Sequence, residues 1–584
     1  MLSPPYMDLL NTEIDIISLP KFHFLFRKLW YTEAKVKWKD LKIMKRIIAI
    51  MLTFALMLAG CSAGGAEDTL QTGATQAALP AGDIVYINLS DDGITVDYPE
   101  GAVSGAVTTD ESIIYYEEGH DFTYGEGTVA DEHSASEAAA HTVVTITQPG
   151  TYSLSGKLSA GQVAVDLGDE AAEDPNAVVT LILDGVDITC TVAPAVIFYN
   201  VYECGDKDTA SQSVDTTAAG ANVYIADGTY NTVNGSYVAR IYKPDSVVLT
   251  EDGTAVDDAK KLHKYDGAFY SKMSMNITGN DGILNINAEN EGLDTELHLT
   301  INGGNINIVS GNDGINTNED GISVTTVNGG SLTITVNGAT GEGDGIDSNG
   351  WLVINGGTVT AAACSFSGDA GIDSDMGIHI NGGTVLASGN MLDTIAGGEQ
   401  TYAVFTFSGS QAGGSSYTLK SADGNPVLSH TPANDLTCLI IAADALAPGE
   451  YTFWRDDIQL SGAAGMGFGG GMRPGGQQPE GMQFPEGQQP PEIPEDGQRP
   501  EMPEGMQIPQ GGQPPEMPEG GQWPEMPENA TFPDGEAPEG RDGFGFGGGR
   551  GGNRGQMGAA GESSTIFTIA QGANYFSMVT EAQQ

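Results

Sequence analysis

The chain has 584 residues, and its 24 Lys and Arg stand against 78 Asp and Glu, a formal charge of -54. Such an excess repels nucleic acid and anionic membrane surfaces while drawing cations, so DNA and RNA are excluded as partners. Apart from Cys61 the cysteines stand far apart, at Cys190, Cys204, Cys364 and Cys438; buried thiols are favoured over a disulfide framework, and a Cys190–Cys204 bond stays open.

Met44-Lys-Arg is followed by an apolar run from Ile47 to Ala59 and then by Leu58-Ala-Gly-Cys61. This is the layout of a bacterial lipoprotein signal, with Cys61 as the lipidated first residue of the mature chain. Residues 44–61 are read as that signal and residues 1–43 as a mis-start or extension that carries no fold. Residues 62–82, rich in Gly, Ala, Thr and Gln, suit a flexible tether. The expected location is the extracellular face of the cell membrane, held there by lipid alone.

From 83 to 400 the chain reads as short strands, among them Val144-Thr-Ile-Thr, Val179-Thr-Leu-Ile-Leu, Asn305-Ile-Asn-Ile and Leu332-Thr-Ile-Thr-Val. Apolar alternation bounded by Asn-Gly and Asp-Gly predicts half-buried β-structure. An apolar-Asn-Gly-Gly phrase recurs at Asn302, Asn328, Asn355 and Asn381, every 26 or 27 residues. Asn-Gly is also a hairpin signal, which raises an antiparallel sandwich as the rival. The period decides against it: three short strands and three turns per repeat are what one coil of a parallel solenoid needs. The predicted fold is all-β, a right-handed parallel β-helix.

Residues 401–460 predict a small β cap. Residues 461–562 turn to Gly, Pro, Glu, Gln and Met, a composition too poor in apolar surface to offset chain entropy, so a long disordered insertion is expected. Thr565-Ile-Phe-Thr-Ile regains strand character, which makes 563–584 a returning strand of the cap.

A second phrase keeps step with the first: Glu291-Gly-Leu-Asp294, Asp313-Gly-Ile-Asn316, Asp344-Gly-Ile-Asp347 and, with one residue inserted, Asp369-Ala-Gly-Ile-Asp373. Stacking aligns Asp294, Asn316, Asp347, Asp373 and Asp393 in one column and Glu291, Asp313, Asp344 and Asp369 in another, both expected to face outward. Two carboxylates about 4.8 Å apart repel by about 1 kcal/mol in water and about 3 to 4 kcal/mol at an effective dielectric of 20. A cation between coils removes that cost. Oxygen donors without His or Cys point to Ca2+, and Asp294, Asp313, Asn316, Asp344, Asp347, Asp369, Asp373 and Asp393 are the candidate ligands.

These phrases, with Gly150-Thr-Tyr-Ser-Leu-Ser-Gly156, Leu181-Ile-Leu-Asp-Gly-Val-Asp-Ile188, Ala226-Asp-Gly-Thr-Tyr-Asn231 and Asp266-Gly-Ala-Phe-Tyr-Ser-Lys272, resemble a family of secreted bacterial carbohydrate-binding domains. The resemblance covers about residues 140–400. It implies a β-helix similar to pectate lyases, calcium among the coils, and surface-displayed binding of cellulose or pectin-like polysaccharide; a monomer is expected. Glu291, where Asp is usual, and the inserted Ala370 depart from the pattern. The aromatic candidates for sugar contact are Trp351 and Tyr270; Trp351 serves either as a platform or as cover for a coil edge.

A lyase needs a base, and between Leu262 and Gln400 there is no Arg. A glycosidase needs two distinguished carboxylates, and these are repetitive. His298 and His379, each inside an alternating strand pattern, are expected to face solvent. The expected function is therefore non-catalytic binding, with a β-helix hydrolase or a structural envelope scaffold as the alternatives.

Overall fold

The computed structural model describes residues 77–78, 80, 82–100, 104–465 and 563–579. The extension at 1–43, the signal at 44–61 with Cys61, most of the tether at 62–82 and nearly all of the 461–562 insertion lie outside the described residues.

Three parallel ladders make up the body. The first runs through Thr142–Ile146, Gly161–Asp166, Val196–Asn200, Gly267–Ser271, Glu291–Thr295, Ile315–Thr317 and Ile346–Ser348. The second takes the leading halves of Gly150–Leu158 and Val179–Thr189, then Ala221–Ile225, Met275–Gly279, Leu299–Ile301, Val324–Val327, Trp351–Ile354 and Gly377–Ile380. The third takes the trailing halves of those first two strands, then Tyr230–Gly235, Ile283–Ala288, Asn305–Ser310, Ser331–Val336, Thr358–Ala362 and Thr384–Gly389. From Glu291 to Ala362 the chain visits the three ladders in the same order on every pass, pairing each strand with the one a repeat later. Hairpins joined at Asn-Gly would have given antiparallel pairs.

The apolar half of each alternating strand closes one core. Leu293, Leu299, Ile306, Ile315, Ile346, Leu352 and Val359 are fully enclosed in it. The recurring glycines have steric causes. In Asn-Gly-Gly the second glycine takes a left-handed backbone, as at Gly330 with φ 82°, and a Cβ there would lie 2.5 Å from the Gly304 carbonyl oxygen of the coil before. In Asp-Gly-Ile, a Cβ on Gly314 would lie 2.2 Å from Ile334 Cγ2 across the core. Gly330→Ala therefore combines a disfavoured backbone with a backbone clash and is expected to destabilise the chain by about 2 to 4 kcal/mol. Urea unfolding checks it; an unchanged midpoint would mean that the turn yields.

The stack is closed at both ends. Ile84–Leu89 adds a parallel strand to Gly150–Leu158 and folds back on Thr95–Asp97. At the other end the pairing switches sense: Leu436–Ala442 runs antiparallel to Thr384–Gly389 and to Tyr402–Gln411, which blocks further parallel addition. Phe567–Ile569 pairs with Gly449–Arg455, and Ala573–Met578 pairs with Tyr402–Gln411. Phe405, Phe453, Phe567 and Phe576 meet in a separate aromatic core, with Phe405 stacked on Phe453 at 3.9 Å between centroids. Cys190, Cys204, Cys364 and Cys438 are free thiols.

Candidate metal centre

Register in the first ladder aligns Tyr270, Asp294, Asn316 and Asp347. The next pass continues it, since Asp373 N–H donates to Ile346 O at 2.7 Å. A second column follows through Asp313, whose Oδ1 accepts from Asp344 N–H at 2.6 Å, and Asp344, whose Oδ1 accepts from Ala370 N–H at 2.5 Å. Asp369 reaches back to the preceding coil, accepting from Gly343 N–H at 2.7 Å, and also accepts from Ser367 Oγ in its own loop. Asp393 accepts from Ser374 N–H at 3.1 Å.

The columns do not face outward into solvent as expected. Glu291, Asp294, Asp313 and Asn316 are buried, Asp294 completely, whereas Asp344, Asp347 and Asp373 keep partial solvent contact. The cover at the head of the acid columns comes from residues 112–141 and 237–266, which lie outside the repeat. They are knitted together by bridges between Gly125 and Ile241, Val238 and Tyr265, and Tyr242 and Lys261. From this cover Arg240 Nη2 donates to Asp266 Oδ2 at 2.6 Å, and Tyr237 Oη donates to Asp131.

Tyr270 is corrected as a sugar platform. It is 1% exposed, lies edge-on to Tyr265 at 5.2 Å, and its hydroxyl donates to Glu296 Oε1 at 2.7 Å. His298 is likewise enclosed, with its Nδ1 accepting from Val324 N–H at 3.2 Å and the backbone at Gly205 against its ring. Trp351 is half-buried at the start of its strand, paired between Val324 and Gly377. It does not join the acid columns.

Burial sets the electrostatics. It raises the Glu291 carboxyl to about 8, with Asp266 adding to the shift, while the amide of Asn316 and Arg240 oppose it. Burial first, and then Glu291, holds Asp294 and Asp313 well above the ordinary carboxylate range. Asp344 and Asp347 are raised in the same sense by burial and then by Asp313. Three buried oxygens of neighbouring column residues have no hydrogen-bond partner: Glu291 Oε2, Asp294 Oδ2 and Asn316 Oδ1. A buried acceptor left without a donor costs about 1 to 3 kcal/mol, more if charged. Further along, carboxylate oxygens of Asp344, Asp347 and Asp373 lie within 4.8 Å of one another, a span that two calcium–oxygen bonds of about 2.4 Å can bridge. Both groups are oxygen-only, so the donor chemistry fits a hard divalent cation.

Residues 140–413 match the family model of a carbohydrate-binding domain-containing protein. A protein of that description from Acetivibrio thermocellus is 30% identical over 164 residues, which are 28% of this chain and 43% of the relative. The chain thus spans less than half the length of this curated relative. A solved structure of a polysaccharide lyase-like protein from C. thermocellum, a gadolinium derivative, aligns with 54% of this chain and 98% of its own at 22% identity and a TM-score of 0.29. The matched stretch contains both acid columns and all three ladders from Gly150 to Gly389, while Glu126 and Asp131 precede it.

Glu296 and Arg240 were not among the sequence candidates, and Asp266 stood only as the first residue of a matching phrase. Nothing marked Arg240, which stands 26 residues before its partner Asp266 in a stretch without period.

Proposed function

We propose that residues 83–400 form a right-handed parallel β-helix that binds polysaccharide, cellulose or pectin-like, without covalent chemistry and with calcium held between coils. Handedness follows from the general rule that crossovers between parallel strands are right-handed in about 98% of cases. The family match over 140–413 carries the carbohydrate reading. The unpartnered oxygens of Glu291, Asp294 and Asn316 support calcium. Asp344, Asp347 and Asp373, clustered and nearer solvent, would share an ion with the carboxylate of a uronate polymer. Lipidation at Cys61 would display this domain as a monomer on the outer face of the cell membrane.

The test is a pull-down of the whole chain on polygalacturonate gel with calcium or with chelator, with reducing ends measured in the same tubes. Retention should require calcium, fall on Asp347→Asn, and release no reducing ends. Calcium-independent retention would refute the shared ion; reducing ends formed in step with protein would make the chain an enzyme.

A further inference from the structure

In a chain of charge -54, the six strands of the third ladder from Tyr230–Gly235 to Thr384–Gly389 contain no charged residue. Their core-facing positions, such as Val233, Ile286, Ile308, Ile334 and Ala361, are enclosed. Their outward positions stack into columns. One runs Thr232, Asn285, Asn307, Thr333, Thr360; a second runs Tyr230, Ile283, Asn305, Ser331, Thr358. Tyr230, Asn307, Thr333 and Thr358 are exposed, Tyr230 at 73%, and the other six are half-buried.

The nearest carboxylates flank this face rather than lie on it, and each has a partner. At its head Thr232 pairs with Asp187, whose carboxylate is held by Lys157 Nζ at 2.6 Å. The carboxylates at the strand ends are engaged by hydrogen bonds, Asp281 from Gly228 N–H and Glu289 from Ser236 Oγ. The amides are fixed by one another: Asn307 Nδ2 donates to Asn285 Oδ1 at 3.0 Å, and Asn287 Nδ2 to Asn234 Oδ1 at 2.8 Å. An asparagine amide has two N–H donors and an oxygen with two lone pairs, so each retains capacity directed outward. The neutral surface continues around the turn, where Asn302, Asn328, Asn355 and Asn381 are exposed and joined at 2.8 to 2.9 Å.

We infer that this face is a binding surface for a neutral, extended, β-linked polysaccharide lying along the stack, separate from the acid columns. The inference rests on the carbohydrate reading above and assigns its neutral ligand to a place. Three features select the occupant. Rungs repeat about every 4.8 Å, close to the rise of one sugar in an extended β-linked chain, so hydroxyls meet amides and hydroxyls in step. A surface without charge admits an uncharged chain where the rest of the molecule would repel a polyanion. Tyr230 offers a ring face at one end for a sugar to stack on. The rows are held before binding, which lowers the ordering cost.

The experiment uses the whole chain with microcrystalline cellulose and with polygalacturonate, each with calcium and with chelator. Wild type should hold cellulose under both conditions. Asn307→Asp with Thr333→Asp, both exposed, should reduce cellulose retention by about tenfold and leave calcium-dependent polygalacturonate retention unchanged. Thr333→Lys, with thermal midpoint measured, is the second variant in case paired acids disturb the stack. Tyr230→Ala should also weaken cellulose retention. Full cellulose retention by folded variants overturns the assignment while leaving the carbohydrate reading intact; a wild type that holds neither polymer overturns the reading itself. Variants that change from dimer to monomer on gel filtration would make the face a self-contact and overturn the assignment.

Discussion

Stripped of divalent ions, the protein should lose thermal stability steadily as pH rises from about 6.5 to about 8, and calcium should restore it. The Glu291 carboxyl is raised by burial from 4.5 to about 8, and Asp294, Asp313, Asp344 and Asp347 are raised in the same direction. Between the ordinary carboxylate range and those values the native chain holds protons that the unfolded chain has released. Stability falls with pH wherever the native state binds more protons, by about 1.4 kcal/mol per unit for each group. His263, His298 and His430 act in the opposite sense, because burial lowers each from 6.5 to about 4. Their contribution is lost as pH falls below about 6.5, the unfolded value, and is constant above it. Above about 6.5 only the acids remain, and the slope is theirs. Calcium binds the ionised carboxylates, so it should flatten the alkaline limb and raise the midpoint by several degrees, about 2.7 kcal/mol per site at a hundredfold excess over Kd. A chelated protein whose midpoint does not fall between pH 6.5 and 8 would remove the buried columns as the cause, and an unchanged midpoint on adding calcium at pH 8 would remove the ion.

The same columns mark the boundary of what the sequence could disclose. Strand positions and parallel pairing were readable because both have local causes that repeat: alternation in Asn305-Ile-Asn-Ile, and a second glycine in Asn-Gly-Gly that alone accepts the turn and the close contact with the previous coil. Alignment of Asp294 with Asn316 and Asp347 followed from the period alone. Exposure did not. It depends on residues 112–141 and 237–266, which have no period and meet the ladder at single contacts such as the Asp266 carbonyl with Glu291 N–H and Tyr265 with Tyr270. A repeat specifies its own coil but not what another part of the chain lays over it. Tyr270 misled for that reason: its column runs Thr145, Ala164 and Ile197 before it and turns acidic at Asp294 after it, and Tyr265 and Tyr199 pack at the junction.

That junction carries the other large effect. Arg240→Met, measured by urea unfolding at pH 7 with calcium present, should destabilise the chain by about 3 to 5 kcal/mol. Arg240 lies in the cover with Nη2 on Asp266, and its Nη1 stands 3.9 Å from Glu126 Oε2, while Lys261 Nζ reaches Glu126 Oε1 at 2.8 Å. Burial raises Asp266, and Arg240 is the largest influence holding it down. Removing the guanidinium leaves a buried carboxylate without its charge partner, beside Glu291, whose N–H donates to the Asp266 carbonyl at 3.2 Å. Methionine keeps the apolar stem and so isolates the loss of charge. Asp266→Asn in the same chain should return a large part of the loss, because the uncompensated charge disappears with it. The double-mutant cycle therefore separates pairing from packing. A coupling near zero would show that the cover is held by its tyrosines, Tyr237 on Asp131 and Tyr265 on Tyr270, and that the ion pair at the head of the columns contributes little.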